Sequence, residues 1–151
     1  MTQRMDYYAT SPAGMRALAV VYDHVRRSGL PEVLVNLVYL RASQINGCAY
    51  CIDMHSRDLL KQGVTVEKLV LVPVWREGGA LFTDAERAAL AWAETVTRVA
   101  ETGVPEAEYA AAAAAFDPGP LADLTIAIGV INAYNRMAIS FRTTPAAVAQ
   151  A

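Results

Sequence analysis

Two cysteines and a histidine lie close together in the segment Cys48-Ala49-Tyr50-Cys51-Ile52-Asp53-Met54-His55. If this segment is helical, Cys48, Cys51 and His55 occupy positions i, i+3 and i+7, along one face over two turns. All three side chains can then contribute to one site. Because helical side chains lean towards the N-terminus, His55 reaches Cys51 more readily than Cys48, which lies roughly 10 Å away along the axis. His55 is therefore the expected acid–base partner of Cys51.

A pair of thiols at this spacing is suited to redox chemistry. One thiolate attacks an electrophilic oxygen or sulfur atom, and the second thiol converts the adduct into a disulfide. Cys48 is predicted to lie at the N-terminus of its helix, where free N–H groups and the helix dipole stabilise a thiolate. The residues alone thus predict a thiol–disulfide site that a reductant must regenerate.

Two other interpretations of the same residues stay open. Cys48, Cys51 and His55 could bind zinc, but a tetrahedral site needs a fourth ligand, and the chain has no third cysteine. The other histidine, His24, is placed on the polar side of the first predicted helix. The two cysteines could also be ordinary packing residues of a helical core. We favour redox chemistry and expect neither a metal ion nor an organic cofactor.

The composition argues against a nucleic-acid-binding protein and against a membrane protein. Thirteen basic and 15 acidic residues give a net charge of −2, and the scattered basic residues form no stripe for nucleic acid. No apolar run approaches the ~18 residues of a membrane span, and the first residues do not resemble a signal peptide. We therefore expect a cytoplasmic protein, in which a Cys-x-x-Cys pair is more often redox-active or metal-binding than structural. The hydrophobic content of 54% favours a homo-oligomer.

Cap and turn signals divide the chain into helices, and no alternating strand pattern competes with them. The predicted fold class is therefore all-α, with one helical domain over residues 1–151. Residues 75–79 are predicted to be a loop, and Asn46-Gly47 is suited to a left-handed helix end directly before Cys48. The predicted helices are 11–28, 31–46, 48–62, a short segment after Thr65 that Pro73 interrupts, 83–100 with a capping box, one beginning at Pro105, and 120–140.

The segment from Leu40 to His55 resembles the core of alkylhydroperoxidase D-like (AhpD-like) proteins of the carboxymuconolactone decarboxylase superfamily. The resemblance extends over most of the chain through residues 75–77, 86–92 and 131–136. It implies a compact helical bundle that assembles into homo-trimers or into hexamers made of two trimers.

The resemblance also implies a function. Family members that carry the cysteine pair are similar to peroxidases that reduce hydroperoxides and are recharged by a dithiol donor, such as a lipoylated or thioredoxin-like protein. By this resemblance Cys51 attacks the peroxide and becomes a sulfenic acid, Cys48 resolves it, and His55 belongs to a proton relay. The helix-dipole argument favours Cys48 as the thiolate instead, so the order within the pair stays open.

The chain departs from its resembled relatives at two positions. Their relay includes a glutamate 12 positions before the first cysteine, where this chain has Asn36, an amide that orients water but cannot take up a proton. Some relatives carry a histidine between the cysteines, where this chain has Tyr50, a hydrogen-bond donor. The alternative functions are therefore thiol–disulfide exchange or stress sensing with little peroxidase activity, and a non-catalytic zinc-binding oligomeric scaffold.

Overall fold

The computed structural model describes residues 2–149, which form helices joined by short turns and contain no strand. This agrees with the predicted all-α class. No single helix among these residues is long and apolar enough to cross a membrane, although Glu106–Ala115 and Pro118–Ala149 pass that test together as a bent pair. The helices are α1 Tyr7–Thr10, α2 Pro12–Arg27, α3 Glu32–Asn46, α4 Ala49–Lys61, α5 Val66–Leu71, α6 Asp84–Thr97, α7 Val99–Thr102, α8 Glu106–Ala115, α9 Pro118–Phe141 and α10 Ala146–Ala149, with 3₁₀ helices at Val72–Glu77 and Gly79–Leu81.

Helix α3 lies at the centre of the bundle and packs against α4, α6 and α9. Its sequence is almost continuously apolar from Val33 to Leu40, and a helix that is apolar on every side is stable only when neighbours cover it. Burying each leucine or valine side chain of such a helix contributes about 1.5 to 3 kcal/mol. The buried apolar residues of α3 are Leu34, Val35, Leu37, Val38, Tyr39, Leu40 and Ala42.

A buried carboxylate ties three elements of the bundle together. Glu94 of α6 accepts hydrogen bonds from Arg41 Nε of α3 at 2.7 Å, Arg76 at 2.7 Å and Trp75 Nε1 at 3.0 Å. Burial raises the pKa of Glu94, but the hydrogen bonds from Arg76, Trp75 and Arg41 outweigh it and hold this pKa below its usual value. Glu94 therefore stays charged and paired inside the protein.

The structure confirms the ends of α3 and α4 and the capping box of α6, in which Thr83 and Glu86 bond reciprocally. The predicted loop at 75–79 is wrong, because a 3₁₀ helix runs over Val72–Glu77 around the buried side chain of Trp75. The predicted helix 83–100 is also interrupted. Arg98, at φ −100° and ψ 31°, leaves helical geometry and separates α6 from α7.

Candidate active site

The turn between α3 and α4 places the first cysteine. Gly47 takes the left-handed conformation at φ +72° that ends α3, and the N–H of Cys48 donates to the carbonyl of Ser43 at 2.9 Å. Cys48 is the N-cap of α4, and its Sγ accepts a hydrogen bond from the N–H of Cys51 at 3.4 Å. The two cysteines form a disulfide, with their Cα atoms 5.4 Å apart.

A partly buried amide network anchors this turn to α9. Asn46, the last residue of α3, donates to Oδ1 of Asn132 at 2.9 Å and to Oδ1 of Asn135 at 2.8 Å. Asn135 is fully buried and donates in turn to Ser43 Oγ at 3.0 Å. Because a buried amide that loses its partner is costly, the network holds the residues before Cys48 in a fixed position.

His55 follows Cys51 by one helical turn and is only 1% exposed. Its Nδ1 lies 3.1 Å from Oδ1 of Asn36 on α3. An amide oxygen only accepts hydrogen bonds, so this contact assigns the hydrogen to Nδ1 and leaves a lone pair on Nε2. Nε2 is buried and has no hydrogen-bond partner among the described residues. Burial lowers the pKa of His55 to about 4, so the imidazole is neutral at pH 7.

A cavity of about 260 Å³ opens beside Cys51 and His55. We call it the tyrosine cavity, because six tyrosines from five helices line it: Tyr7, Tyr8, Tyr22, Tyr39, Tyr50 and Tyr134. The rings of Tyr22 and Tyr39 stack with centroids 5.9 Å apart, and the Tyr39 ring lies 5.1 Å from the His55 ring. The site is therefore a mostly apolar chamber lined by aromatic side chains, one cysteine and one imidazole.

Tyr39 contributes a second unpartnered polar atom. It is 1% exposed, and its hydroxyl has no hydrogen-bond partner among the described residues. Burial raises the pKa of Tyr39 above its ordinary value, so the phenol keeps its proton and remains a donor. A ligand of the tyrosine cavity that carries an acceptor could satisfy this hydroxyl.

A separate groove of about 360 Å³ is lined by the other cysteine. We call it the Cys48 groove; besides Cys48, its lining includes Ile139, Arg142, Thr144 and Val148. Cys48 lines this groove and not the tyrosine cavity, whereas Cys51 and His55 line the tyrosine cavity and not the groove. Tyr50 and Ala138 border both openings and form the wall between them.

The structure thus brings Asn36, Cys51 and His55 together, and it links Cys48 to them through the disulfide. Tyr50 lies in the wall between the two openings. Apart from Tyr50, sequence reasoning missed the aromatic lining. One signal for it was available, since Tyr39 follows Asn36 by three residues and so lies on the same face of α3.

Two observations bear on the zinc interpretation. Within residues 2–149, no group of three or more histidine, cysteine, aspartate or glutamate side chains is arranged to hold a metal ion. His24 lies outside the site, on α2, where its Nε2 is 2.8 Å from Oδ1 of Asp123. His24 is 56% exposed, in agreement with its predicted surface position.

Comparison with known sequences gives the family. The sequence profile of the carboxymuconolactone decarboxylase family matches residues 12–95. The uncharacterized protein YdfG of Bacillus subtilis is 33% identical over 93% of this chain and 95% of its own length. The alkyl hydroperoxide reductase AhpD of Hyphomonas neptunium is 37% identical over a shorter stretch, 41% of this chain and 32% of that protein.

Solved structures agree with this relationship. A protein of unknown function from Agrobacterium tumefaciens, suggested to be an antioxidant defence protein AhpD, superposes with a TM-score of 0.91 and 38% identity, over 95% of this chain and 98% of that one. The debrominase Bmp8 has a TM-score of 0.82 at 17% identity, over 94% of this chain and 76% of its own, a likeness of fold alone. The chain therefore belongs to the carboxymuconolactone decarboxylase family, as an AhpD-like protein.

Proposed function

We propose that this protein is a cytoplasmic thiol-dependent peroxidase that reduces organic hydroperoxides through a reversible Cys48–Cys51 disulfide. The observation that carries the proposal is that Cys51 shares one apolar cavity with a neutral imidazole whose Nε2 has no hydrogen-bond partner among the described residues, while Cys51 is also bonded to a second cysteine. A sulfur nucleophile, a proton acceptor and a resolving thiol are the groups that this reaction needs. The relative named alkyl hydroperoxide reductase supports the same reaction class.

In the first step, the Cys51 thiol gives its proton to Nε2 of His55. The resulting thiolate attacks the terminal oxygen of the hydroperoxide, the O–O bond breaks, and the alkoxide leaves with its electron pair. The imidazolium then returns the proton to the alkoxide. The products are an alcohol and a sulfenic acid on Cys51.

In the second step, the Cys48 thiolate attacks the sulfur of the Cys51 sulfenic acid. The S–O bond breaks, hydroxide leaves and takes up the proton of the Cys48 thiol as water, and the disulfide forms. The N-cap position favours this thiolate, because the N–H of Cys51 donates to Sγ of Cys48. An external dithiol then supplies two electrons and two protons, and it leaves as a disulfide.

The partner of His55 supports a second candidate function. Nδ1 of His55 faces an amide in Asn36, not a carboxylate, so no charged group is bonded to the imidazole. A buried neutral imidazole whose pKa is about 4 is a weak base, and it assists thiolate formation less than a carboxylate-paired histidine does. Thiol–disulfide exchange or stress sensing, with little peroxide turnover, is the alternative that this contact favours.

The test starts from fully reduced protein and one equivalent of cumene hydroperoxide. Both titratable thiols should disappear, and peptide mass should show an intramolecular disulfide between Cys48 and Cys51. We expect Cys51→Ser to abolish the reaction and Cys48→Ser to leave a sulfenic acid that dimedone traps. Persistence of both thiols in excess peroxide would contradict the redox function, and the reverse pattern in the two variants would make Cys48 the nucleophile.

Two further measurements separate the alternatives. Steady-state peroxide reduction with dithiothreitol, compared with reduction of an added disulfide, distinguishes a peroxidase from an exchange protein. The metal content of the purified protein tests the zinc scaffold, for which stoichiometric zinc and protected thiols are the expected result.

A further inference from the structure

We infer that the two sulfurs of the disulfide are served by separate openings: a dithiol reductant enters the Cys48 groove and attacks Cys48, while the oxidant enters the tyrosine cavity and meets Cys51. This inference rests on the proposed redox function of the cysteine pair. It does not require the oxidant to be a hydroperoxide.

The burial of the two cysteines limits how a reagent can reach them. Cys48 is 1% exposed and Cys51 is 2% exposed, so a reagent reaches either sulfur only through an opening. Cys48 lines the groove but not the tyrosine cavity, and Cys51 lines the tyrosine cavity but not the groove. The side chains between the openings, Tyr50 and Ala138, pack directly against the cysteines. A reagent in one opening is therefore held beside one particular sulfur.

The lining of the Cys48 groove indicates which reductants fit. Its walls are mostly apolar and include Ile139 and Val148, and Arg142 is the one charged residue in its described lining. A thiol on a narrow, uncharged or anionic carrier suits such a groove better than a thiol on a broad protein surface. The segment from Arg142 to Val148 forms one side of the groove, and Ala147 N–H donates to Asp53 Oδ2 at 3.1 Å.

The proposed reduction balances as follows. A thiolate of the donor attacks Sγ of Cys48, the Cys48–Cys51 bond breaks, and Cys51 leaves as a thiolate that takes up a proton. The second thiol of the donor loses its proton and attacks the donor sulfur bound to Cys48. The donor leaves as a cyclic disulfide, and Cys48 is released as a thiolate that takes up the second proton. Two electrons and two protons pass from the donor to the cysteine pair.

One chemical effect opposes this order. A thiolate at a helix N-terminus is a good leaving group, and this would favour attack on Cys51 with departure of Cys48. The geometry favours the other sulfur, because Cys51 is reached only from the tyrosine cavity. The sulfur that the reductant attacks therefore shows whether access to the disulfide or the acidity of the leaving thiol decides the order of the reaction.

A pair of matched variants tests the inference. Val148 lines only the groove and Met54 lines only the tyrosine cavity; Val148 is 59% exposed and Met54 is 36% exposed, so a tryptophan at either position should be tolerated. We expect Val148→Trp to slow reduction of the preformed disulfide by dithiothreitol about tenfold or more, as when a reacting pair loses its geometry. Oxidation of the reduced variant by cumene hydroperoxide should stay unchanged. Met54→Trp should show the opposite pattern.

A second readout identifies the attacked sulfur. Oxidised wild-type protein is mixed with 2-mercaptoethanol, a monothiol that cannot complete the reduction, and is quenched with acid and iodoacetamide. Peptide mass should place the mercaptoethanol adduct on Cys48 and the carbamidomethyl group on Cys51. An adduct on Cys51, or slowing of both half-reactions by Met54→Trp alone, would overturn the inference. If peroxide oxidises neither the wild type nor the variants but the adduct still forms on Cys48, the peroxidase function is contradicted. The inference of separate openings is then still supported.

Discussion

Nδ1 of His55 lies 3.1 Å from Oδ1 of Asn36, nineteen residues earlier in the chain and on the neighbouring helix α3. This contact fixes the tautomer of the imidazole without supplying a charge. The family resemblance implies a glutamate at the position of Asn36, so the contact marks the point at which this chain departs from the resembled pattern. Its consequences for rate and for stability can be measured separately.

Asn36→Glu should raise the peroxidase rate and shift its pH optimum downward. A carboxylate beside the Nδ1 hydrogen makes Nε2 a stronger base, and general-base assistance is worth about 10² to 10⁴-fold, of which a partial relay gains the low end. Asn36→Gln is the control, because glutamine has the length of glutamate but carries no charge. Steady-state rates across pH for the three proteins, at matched stability, give the answer. An unchanged profile in Asn36→Glu would show that a buried glutamate stays protonated there and takes no part.

The buried imidazole should also make the protein sensitive to acid. Above pH 6.5 His55 is neutral in the folded and unfolded states, but between pH 6.5 and about 4 only the unfolded chain takes up the proton. The free energy of unfolding should fall over this interval by up to roughly 3 kcal/mol. His55→Asn, which keeps a donor towards Asn36, should flatten this part of the curve. Urea unfolding at several pH values provides the measurement, and parallel curves would contradict the assignment.

Tyr39→Phe separates a functional hydroxyl from a structural one. The hydroxyl is buried without a partner, so its removal should leave stability unchanged or increase it by about 1 kcal/mol. If the hydroxyl donates to the leaving alkoxide, the variant should lose about tenfold or more in rate with cumene hydroperoxide. It should lose little with peracetic acid, because a carboxylate leaves without a proton. Equal losses with both oxidants would indicate altered packing.

Release of the C-terminal segment should accelerate reduction of the disulfide. Asp53 accepts hydrogen bonds from Arg57 Nε at 2.8 Å and from Ala147 N–H, and Asp53→Ala removes the second contact, which holds one side of the Cys48 groove. Asp58→Ala is the matched control, since Asp58 pairs with Lys61 on the same helix and lies outside the lining of the groove. Stopped-flow reduction by dithiothreitol should be faster in Asp53→Ala only. Equal rates in both variants would show that the segment does not limit access.

We expect a closed homo-oligomer, most simply a trimer or a dimer of trimers. Large apolar side chains lie exposed on several helices, among them Val20 at 66%, Val66 at 58% and Val70 at 62%. Val66 and Val70 are four residues apart on α5 and so share one face of it, and an exposed apolar face of this kind is a candidate subunit interface. Light scattering at micromolar concentration should give a multiple of 16.3 kDa, and a monomer mass would contradict the prediction.

The helix ends that could be predicted correctly are those set by a few neighbouring residues. Asn46-Gly47 ends α3, and Thr83 with Glu86 begins α6, because a left-handed residue and a capping box each act within a few residues. The break at Arg98 was missed, since the helical apolar pattern continues across it into α7. The break comes three residues after Thr95, whose carbonyl accepts a hydrogen bond from the Thr102 hydroxyl at 2.9 Å.

The same distinction applies to the candidate site: features within one helix could be predicted from the sequence, and contacts between helices could not. The spacing of Cys51 and His55 on one helix follows from helix geometry, and the structure places both at one cavity. The contact between Asn36 and His55 joins two helices and came only from the family resemblance. The cavity itself needs Tyr8, Tyr22 and Tyr134 from three further parts of the chain, and no local pattern predicts how α1, α2 and α9 pack around α4.

The wall formed by Tyr50 and Ala138 has a kinetic consequence. An enzyme that alternates between an oxidant and a reductant through a single mouth is inhibited when either reagent occupies the mouth in the wrong half of the cycle. By the inferred routes, a reductant bound in the Cys48 groove would leave the tyrosine cavity free for the oxidant. Double-reciprocal plots should therefore remain parallel up to high concentrations of both reagents, and the catalytic cycle should tolerate a cell in which peroxide and dithiol rise together.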